Sequence, residues 1–206
     1  MKTLLKIRSS IYGPDGQSSK LADKFARAWL GNHPGGRVVT RDLTPESMPH
    51  LTAARFRAFA VPAAERTAEQ RAAVEFSDAL IDELKAADEI VIAVPMYNFS
   101  VPSTLRAWFD HIARAGVTFR FTEDGPVGLI DDRRTFVIIT RGGSYEGRAD
   151  TQAPYLKQFL SFIGLTDIEW ILAEGLAVDE TKRIGAVEAA NETIARLQSA
   201  GPAAAA

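Results

Sequence analysis

The segment that decides the fold is residues 89–102, which read EIVIAVPMYNFSVP. Residues 90–94 form an unbroken apolar run, typical of a strand that is covered on both faces of a parallel sheet. The run ends in a loop with two aromatic side chains, a thioether and the amide of Asn98, and Pro102 then suits the first turn of a helix. Such a loop fits a large flat ligand lying on it, with Asn98 supplying directional hydrogen bonds. A hydrophobic turn packed under a neighbouring loop fits it equally well.

Short strand-like runs alternate with helical periods along the rest of the chain. The predicted strands are residues 3–7, 37–43, 89–94, 134–140 and 168–173, which are mostly β-branched or aromatic. Apolar stripes at helical spacing follow each of them. Five strands, each followed by a helix, indicate an α/β fold with a doubly wound parallel sheet and helices on both faces. We predict one domain over residues 1–199, followed by a disordered tail over residues 200–206.

Composition and charge exclude several classes of function. The 24 basic and 26 acidic side chains give a net charge of −2, so a concentrated basic face for nucleic acid is not expected. The chain contains no cysteine, which excludes thiol catalysis and cysteine-ligated metals. We expect no membrane insertion, because no stretch reaches the length of a membrane span, and we predict a cytoplasmic location by default.

Three unusual loops follow the predicted strands one, three and four. They cover residues 9–19, 95–100 and 141–147. In the flavodoxin-like strand order 2-1-3-4-5 these strands are neighbours, and ligands bind where the strand order reverses. The three loops are therefore predicted to line one crevice.

The first of these loops is suited to a phosphate group. It contains Ser9, Ser10 and Ser18 directly before a helix, whose first N–H groups favour an anion. Ser18 would also serve as an ordinary helix cap. Neither a Gly-Lys-Ser/Thr phosphate loop nor a G-x-G-x-x-G fingerprint occurs, so a monophosphate fits better than a triphosphate. In the third loop, Gly142 and Gly143 allow backbone N–H groups to approach a ligand, although a flexible turn is equally possible.

Other kinds of chemistry find little support in the sequence. The three histidines are scattered, and no metal site is predicted. Residues 44–65 exceed a normal loop, so we expect a functional segment or a short helix there, and residues 116–132 form a second long excursion.

Taken together, the loops resemble those of the FMN-dependent NADH-azoreductases, also described as FMN-dependent NADH:quinone oxidoreductases. The resemblance runs from Leu5 to about Leu197. Two strings carry most of it, PMYNF at residues 95–99 and ARAGVTFR at residues 113–120. Shorter matches are RSSI at 8–11, QS at 17–18, RGG at 141–143, FIG at 162–164 and AEG at 173–175.

The resemblance implies a role for each matching residue. One FMN per subunit would be bound by Ser10, Gly16, Gln17 and Ser18 at its phosphate and ribityl end. Its ring would be held by Met96, Tyr97, Asn98 and Phe99, and its pyrimidine edge by Thr140, Arg141, Gly142 and Gly143. The resemblance also implies a homodimer in which Phe121 and Phe162 complete the partner's substrate pocket. The family often has tyrosine where this chain has Phe121, and the sequence before Gln17 departs locally from typical members.

The implied activity is a two-electron, ping-pong transfer from NADH through bound FMN to quinones and azo compounds. The flavin N5 would carry the hydride, and no side chain is expected to act as an obligatory acid or base. The alternative is a flavodoxin-type electron carrier that docks on other proteins. Such carriers are usually strongly acidic, unlike this chain.

Overall fold

The computed structural model describes residues 1–145 and 150–199 of the 206-residue chain. Part of the predicted third loop, residues 146 and 147, and the predicted tail over 200–206 lie outside the described residues. The prediction of one domain over residues 1–199 stays a prediction.

A five-stranded parallel sheet forms the centre of the fold, in the order β2-β1-β3-β6-β7. Because β4 and β5 lie outside this sheet, the order is the predicted 2-1-3-4-5. The predicted strand positions are confirmed to within one residue at each end. The strands of this sheet are β1 (Thr3–Arg8), β2 (Arg37–Asp42), β3 (Glu89–Pro95), β6 (Thr135–Thr140) and β7 (Ile168–Ala173).

Helices cover both faces of this sheet. The bounds are α1 (Gln17–Asn32), α2 (Ala53–Ala58), α3 (Ala68–Ala86), α4 (Ser103–Ile112), α5 (Gln152–Ile163) and α6 (Glu180–Ser199). Among the described residues, no helix combines the length and apolar character needed to cross a membrane.

The alternation of side chains along β3 explains its unbroken apolar run. Ile90, Ile92 and Val94 pack into the cluster formed with α3, α4 and α5. Val91 and Ala93 point to the opposite face and pack with α1 and α6. All five side chains are fully buried. A strand with two covered faces has no polar side, and the doubly wound architecture follows from that.

The two long excursions have structure of their own. Residues 44–65 contain the short helix α2, as expected, and a 3-10 turn at Ala63–Glu65. Residues 116–132 contain an antiparallel hairpin of β4 (Phe119–Thr122) and β5 (Gly125–Gly128). The hairpin packs closely on the end of α5, because a Cβ atom on Gly128 would lie 2.2 Å from the backbone nitrogen of Gly164.

Candidate active site

The loops after β1 and β3 meet at the carboxyl edge of the sheet. The Tyr97 hydroxyl lies 3.3 Å from Ser10 Oγ and accepts a hydrogen bond of 3.2 Å from the backbone N–H of Ile11. A second hydrogen bond joins the end of β1 to β3, since Ser9 Oγ donates to the carbonyl of Ala93 at 2.8 Å. The predicted proximity of these two loops is therefore observed.

The loop after β6 joins the same edge through the backbone of β3. Thr140 pairs with Pro95 in the parallel register, and the N–H of Met96 donates to the carbonyl of Thr140 at 2.8 Å. Gly142 and Gly143 follow on the surface, and their N–H groups have no backbone or side-chain acceptor among the described residues. Both N–H groups are therefore available to a ligand.

A cleft of about 750 Å³ opens between the first two loops. Its walls include Ser10, Tyr97 and Asn98, the segment 43–46 after β2, and the beginning of α4. No residue of the described part of the loop after β6 lines this cleft. The cleft therefore covers only part of the predicted crevice. The loop after β6 adjoins the loop after β3 through the backbone hydrogen bond between Met96 and Thr140.

The beginning of α1 presents an unusual set of free donors. Gly16 occupies the cap position and supplies no side chain, so the first N–H groups of the helix have no cap. The hydroxyls of Ser18 and Ser19 are fully buried and lack a hydrogen-bond partner in the described part of the chain. Buried polar groups are normally paired, so orphaned hydroxyls at a helix start indicate a missing acceptor. The donor chemistry fits a phosphate monoester.

The turn after β3 holds two residues in a left-handed backbone conformation. Asn98 has φ of 49° and Phe99 has φ of 65°, although neither is glycine. Tyr97 and Ser100 close the turn with two reciprocal backbone hydrogen bonds of 3.0 Å each. Residues held this way are strained by about 1–3 kcal/mol each and cluster at functional sites. The turn leaves the Phe99 ring 68% exposed beside the cleft.

The side chain of Arg141 is buried and paired with two carboxylates, so its guanidinium is not free to contact a ligand. Its guanidinium is 2% exposed and makes ion pairs of 2.7 Å with both Asp150 and Glu174. Any contact from Arg141 to a ligand edge must therefore come from its backbone.

The electrostatic state of Asp150 follows from this ion pair. Burial opposes its charge, but hydrogen bonds from Arg141 and from the N–H groups of Gln152 and Ala153, together with the Arg141 charge, lower the pKa of Asp150. Asp150 is therefore ionised at neutral pH and keeps the network charged.

The two aromatic residues predicted to contact a partner lie in one cluster. Phe121 on the hairpin is 75% exposed and packs edge-on against Phe119, with ring centroids 5.4 Å apart. The Phe119 ring in turn lies 4.3 Å from that of Phe162 on α5. Next to this cluster, α5 and the hairpin form a cavity of about 510 Å³, lined by Tyr155, Phe159 and Phe162 among others.

Comparison with known proteins gives the family. The sequence model of a family described as a flavodoxin-like fold matches residues 1–197. The FMN-dependent NADH:quinone oxidoreductase of Cellvibrio japonicus is 55% identical over 177 residues, which cover 85% of this chain and 89% of that protein. The enzyme of the same name from Alcanivorax borkumensis is 47% identical over 194 residues, 93% of this chain and 98% of that one. This chain belongs to the family of FMN-dependent NADH:quinone oxidoreductases.

Solved structures agree with this membership. An azoreductase from Bacillus anthracis str. Sterne superposes with a TM-score of 0.88 at 26% identity, covering 97% of this chain and 100% of that one. An FMN-dependent NADH-azoreductase from Bacillus anthracis str. Ames Ancestor, solved in complex with FMN, gives 0.87 at 26% identity, covering 97% and 99%. The resemblance read from the loop motifs is thus confirmed at the level of family and fold.

Within this FMN-dependent family, sequence reasoning missed the residues that support the loops. Thr151 and Gln152 at the start of α5 contact the loop after β3 at two carbonyls. Glu174 accepts a hydrogen bond from the backbone of Tyr145 as well as pairing with Arg141. Of these residues, only Glu174 belongs to a motif of the family resemblance, the AEG string at 173–175. Contacts between segments that lie 29 to 57 residues apart leave no local signal in a sequence.

Proposed function

We propose that this chain is an FMN-dependent oxidoreductase that transfers two electrons from NADH to quinones and azo compounds in a ping-pong sequence. The names of its relatives and of the similar structures support this proposal. The observation that carries it is the set of orphaned donors at α1, which lies beside the loops that meet after β1 and β3. A flavodoxin-type carrier is not favoured, because these relatives are oxidoreductases.

The phosphate end of FMN is proposed to bind at the start of α1. Ser18 Oγ is buried without a partner among the described residues, and Ser10 Oγ follows β1 and lies within reach of Tyr97. Gly16 and Gln17 add backbone N–H groups at the positive end of the helix dipole. Among the described residues no group of three acidic or histidine side chains is placed to bind a metal, and the phosphate contacts proposed here use hydroxyls and backbone N–H groups only.

The ring of FMN is proposed to lie on the turn after β3. Met96, Tyr97, Asn98 and Phe99 would flank it, and these side chains are partly or fully exposed at the sheet edge. Bound FMN supplies a ring that accepts a hydride from NADH and passes the electrons to the acceptor.

The loop after β6 is proposed to hold the pyrimidine edge of that ring. The backbone of Thr140 and Arg141 would position the edge, and the N–H groups of Gly142 and Gly143 would donate to its carbonyl oxygens. Donors that are fixed before the ligand arrives stabilise negative charge there without reorganisation. No side chain of the chain is assigned as an acid or base.

We also propose a homodimer in which each subunit completes the substrate pocket of the other. The exposed ring of Phe121 and the half-buried ring of Phe162 support it, because large aromatic surfaces of this kind are usually covered. A cytoplasmic location stays a prediction, tested by fractionating cells that express the chain.

Initial-rate kinetics test the proposed activity. NADH oxidation by the FMN-loaded protein is measured at several fixed concentrations of a quinone, and then of an azo dye. Ping-pong transfer predicts parallel lines in double-reciprocal plots. Converging lines would exclude the ping-pong sequence. If the FMN-loaded protein fails to oxidise NADH in the presence of the quinone and also in the presence of the azo dye, the proposed activity is excluded.

A further inference from the structure

The first two residues at the start of α5 hold both ends of the turn after β3. Thr151 Oγ1 donates to the carbonyl of Phe99 at 2.7 Å. Gln152 Nε2 donates to the carbonyl of Pro95 at 3.2 Å. One helix start therefore brackets the whole segment 95–99, which lies more than 50 residues away in sequence.

Thr151 makes this contact instead of the one that its position favours. It occupies the cap position of α5, where a threonine hydroxyl usually accepts from the backbone of the helix, but it makes no such bond. Asp150 takes over that role, since its Oδ1 accepts from the N–H groups of Gln152 at 2.9 Å and Ala153 at 3.3 Å. The Thr151 hydroxyl is thus free to bind the turn.

The turn has support from outside in addition to its own two backbone hydrogen bonds between Tyr97 and Ser100. Asn98 and Phe99 are both left-handed without being glycine, and both are exposed, so packing does not hold them. A strained conformation persists only where its surroundings fix it. The carbonyl of Phe99 is one of the few groups of the turn with a partner elsewhere in the described chain, and that partner is Thr151.

Gln152 extends the support to the loop after β6. Its amide is buried, and its Oε1 accepts from Arg141 Nε at 3.1 Å while its Nε2 binds Pro95. Arg141 is paired with Glu174, and Glu174 accepts from the backbone N–H of Tyr145 at 3.1 Å. A single amide therefore connects the turn after β3 with the loop after β6.

We propose that Thr151 and Gln152 are positioning residues that fix the two loops against each other in the geometry that receives the flavin ring. This inference rests on the proposed function and adds two residues to those proposed to hold the FMN phosphate and ring. Without them, the turn over residues 97–100 samples other conformations, and FMN must order it on binding. Ordering a loop at that moment weakens affinity.

Two substitutions of matched shape test the inference. Thr151→Val removes the hydroxyl, and Thr151→Ser restores it. Gln152→Met removes the amide at nearly constant volume. Ser77→Ala is the control, because Ser77 is fully buried, as Gln152 is, and donates a hydrogen bond of 2.6 Å, but to the carbonyl of His111 on the α3 and α4 side of the sheet.

Three measurements are made on each folded variant. Hydrogen exchange of the Tyr97 and Ser100 amides in the apoprotein reports the turn without any ligand. Fluorescence titration gives the Kd for FMN, and visible circular dichroism reports the ring environment.

We expect at least tenfold faster exchange for Thr151→Val and Gln152→Met. Loss of one hydrogen bond should raise the FMN Kd about fivefold for Thr151→Val, and the two lost bonds of Gln152→Met about tenfold or more. Thr151→Ser and Ser77→Ala should match the wild type.

The outcomes separate this inference from the proposed function. Unchanged exchange and a Kd within twofold of wild type for both variants overturn the inference, as does an equal effect of Ser77→Ala. If the wild type binds no FMN, the proposed function fails, while amide exchange still decides whether Thr151 and Gln152 hold the turn.

Discussion

A Cβ atom on Gly16 would lie 2.2 Å from Ser10 Oγ and 2.6 Å from Ser10 Cβ. Gly16 is the cap of α1, and the Ser10 hydroxyl lies 3.3 Å from that of Tyr97. The absence of a side chain at Gly16 therefore allows the loop after β1 to close on the helix start and bring Ser10 to the turn after β3. Glycine is needed at position 16 because Ser10 occupies the space of a Cβ atom. The backbone conformation does not require glycine, since any residue can adopt a φ of −61°.

Gly16→Ala should disrupt this approach. The added methyl group pushes Ser10 away, and overpacking of this kind costs about 1–3 kcal/mol. We expect a lower melting temperature and weaker FMN binding. Adding Ser10→Gly removes the clashing atoms, so the double variant should regain thermal stability while still binding FMN weakly. A melting temperature for Gly16→Ala equal to that of the wild type would show that the loop adapts without strain.

Ser18→Ala should separate ligand binding from folding. The Ser18 hydroxyl is buried and has no partner in the part of the chain that the structure describes, so its removal should leave the free energy of unfolding of the apoprotein unchanged or raised. FMN affinity should fall about fivefold to tenfold, with riboflavin affinity unaffected, because only FMN carries the phosphate. Ser77→Ala should show the reverse, a loss of about 1 kcal/mol in stability and no change in FMN affinity. Urea unfolding and fluorescence titration give both quantities. Equal FMN affinities for Ser18→Ala and wild type would remove Ser18 from the phosphate site.

His111 is a fully buried imidazole whose charge the fold disfavours. Its Nε2 donates to the carbonyl of Pro49 at 2.8 Å, while Nδ1 has no partner in the described chain. Burial, assisted by the charge of Arg55, lowers the pKa of His111. A proton on Nδ1 would be buried without an acceptor, so the folded state prefers the neutral ring.

The consequence is a loss of stability on mild acidification. A depressed folded pKa means that the unfolded state takes up the proton first, so the His111 contribution is complete above its unfolded pKa of about 6.5 and declines as pH falls. His111→Gln, which keeps a donor for Pro49, should flatten the curve of unfolding free energy as the pH falls below about 6.5. Denaturant unfolding at several pH values measures the slope. A variant slope equal to that of the wild type would assign the pH dependence to other groups.

Phe162→Glu should dissociate the proposed homodimer. The charge would be buried against Phe119 and the partner surface, which is strongly unfavourable. Sedimentation should show at least a tenfold weaker self-association. Ile184→Glu is the control, because Ile184 is 45% exposed on α6, on the opposite face of the sheet. A monomeric wild type, or equal effects of the two substitutions, would contradict the proposed interface.

Most of the fold follows from the sequence. The β-branched and apolar runs predicted every strand of the parallel sheet, most clearly β3 and β6, whose side chains alternate between two covered faces and are all buried. At the start of α3, Thr67 and Gln70 form a capping box, a pattern of local sequence, and both of its reciprocal hydrogen bonds are observed. The hairpin was not predicted, since Phe119–Thr122 and Gly125–Gly128 are short and half polar, and their position depends on packing against α5.

The site was predicted only where its residues adjoin a strand end. Ser10, Tyr97 and Thr140 were placed correctly at one edge, because parallel strands end together. The inward turn of Arg141 and the support from Gln152 depend on ion pairs and hydrogen bonds between distant segments. Sequence spacing contains no information about such contacts.

The most direct test of the account is a titration of the apoprotein with FMN, followed by anaerobic addition of NADH and then of a quinone. Three loops that jointly hold one cofactor predict saturation at one FMN per chain, loss of the flavin's visible absorbance with NADH, and its return with the quinone. No binding at saturating FMN, or an absorbance that NADH leaves unchanged, would contradict it.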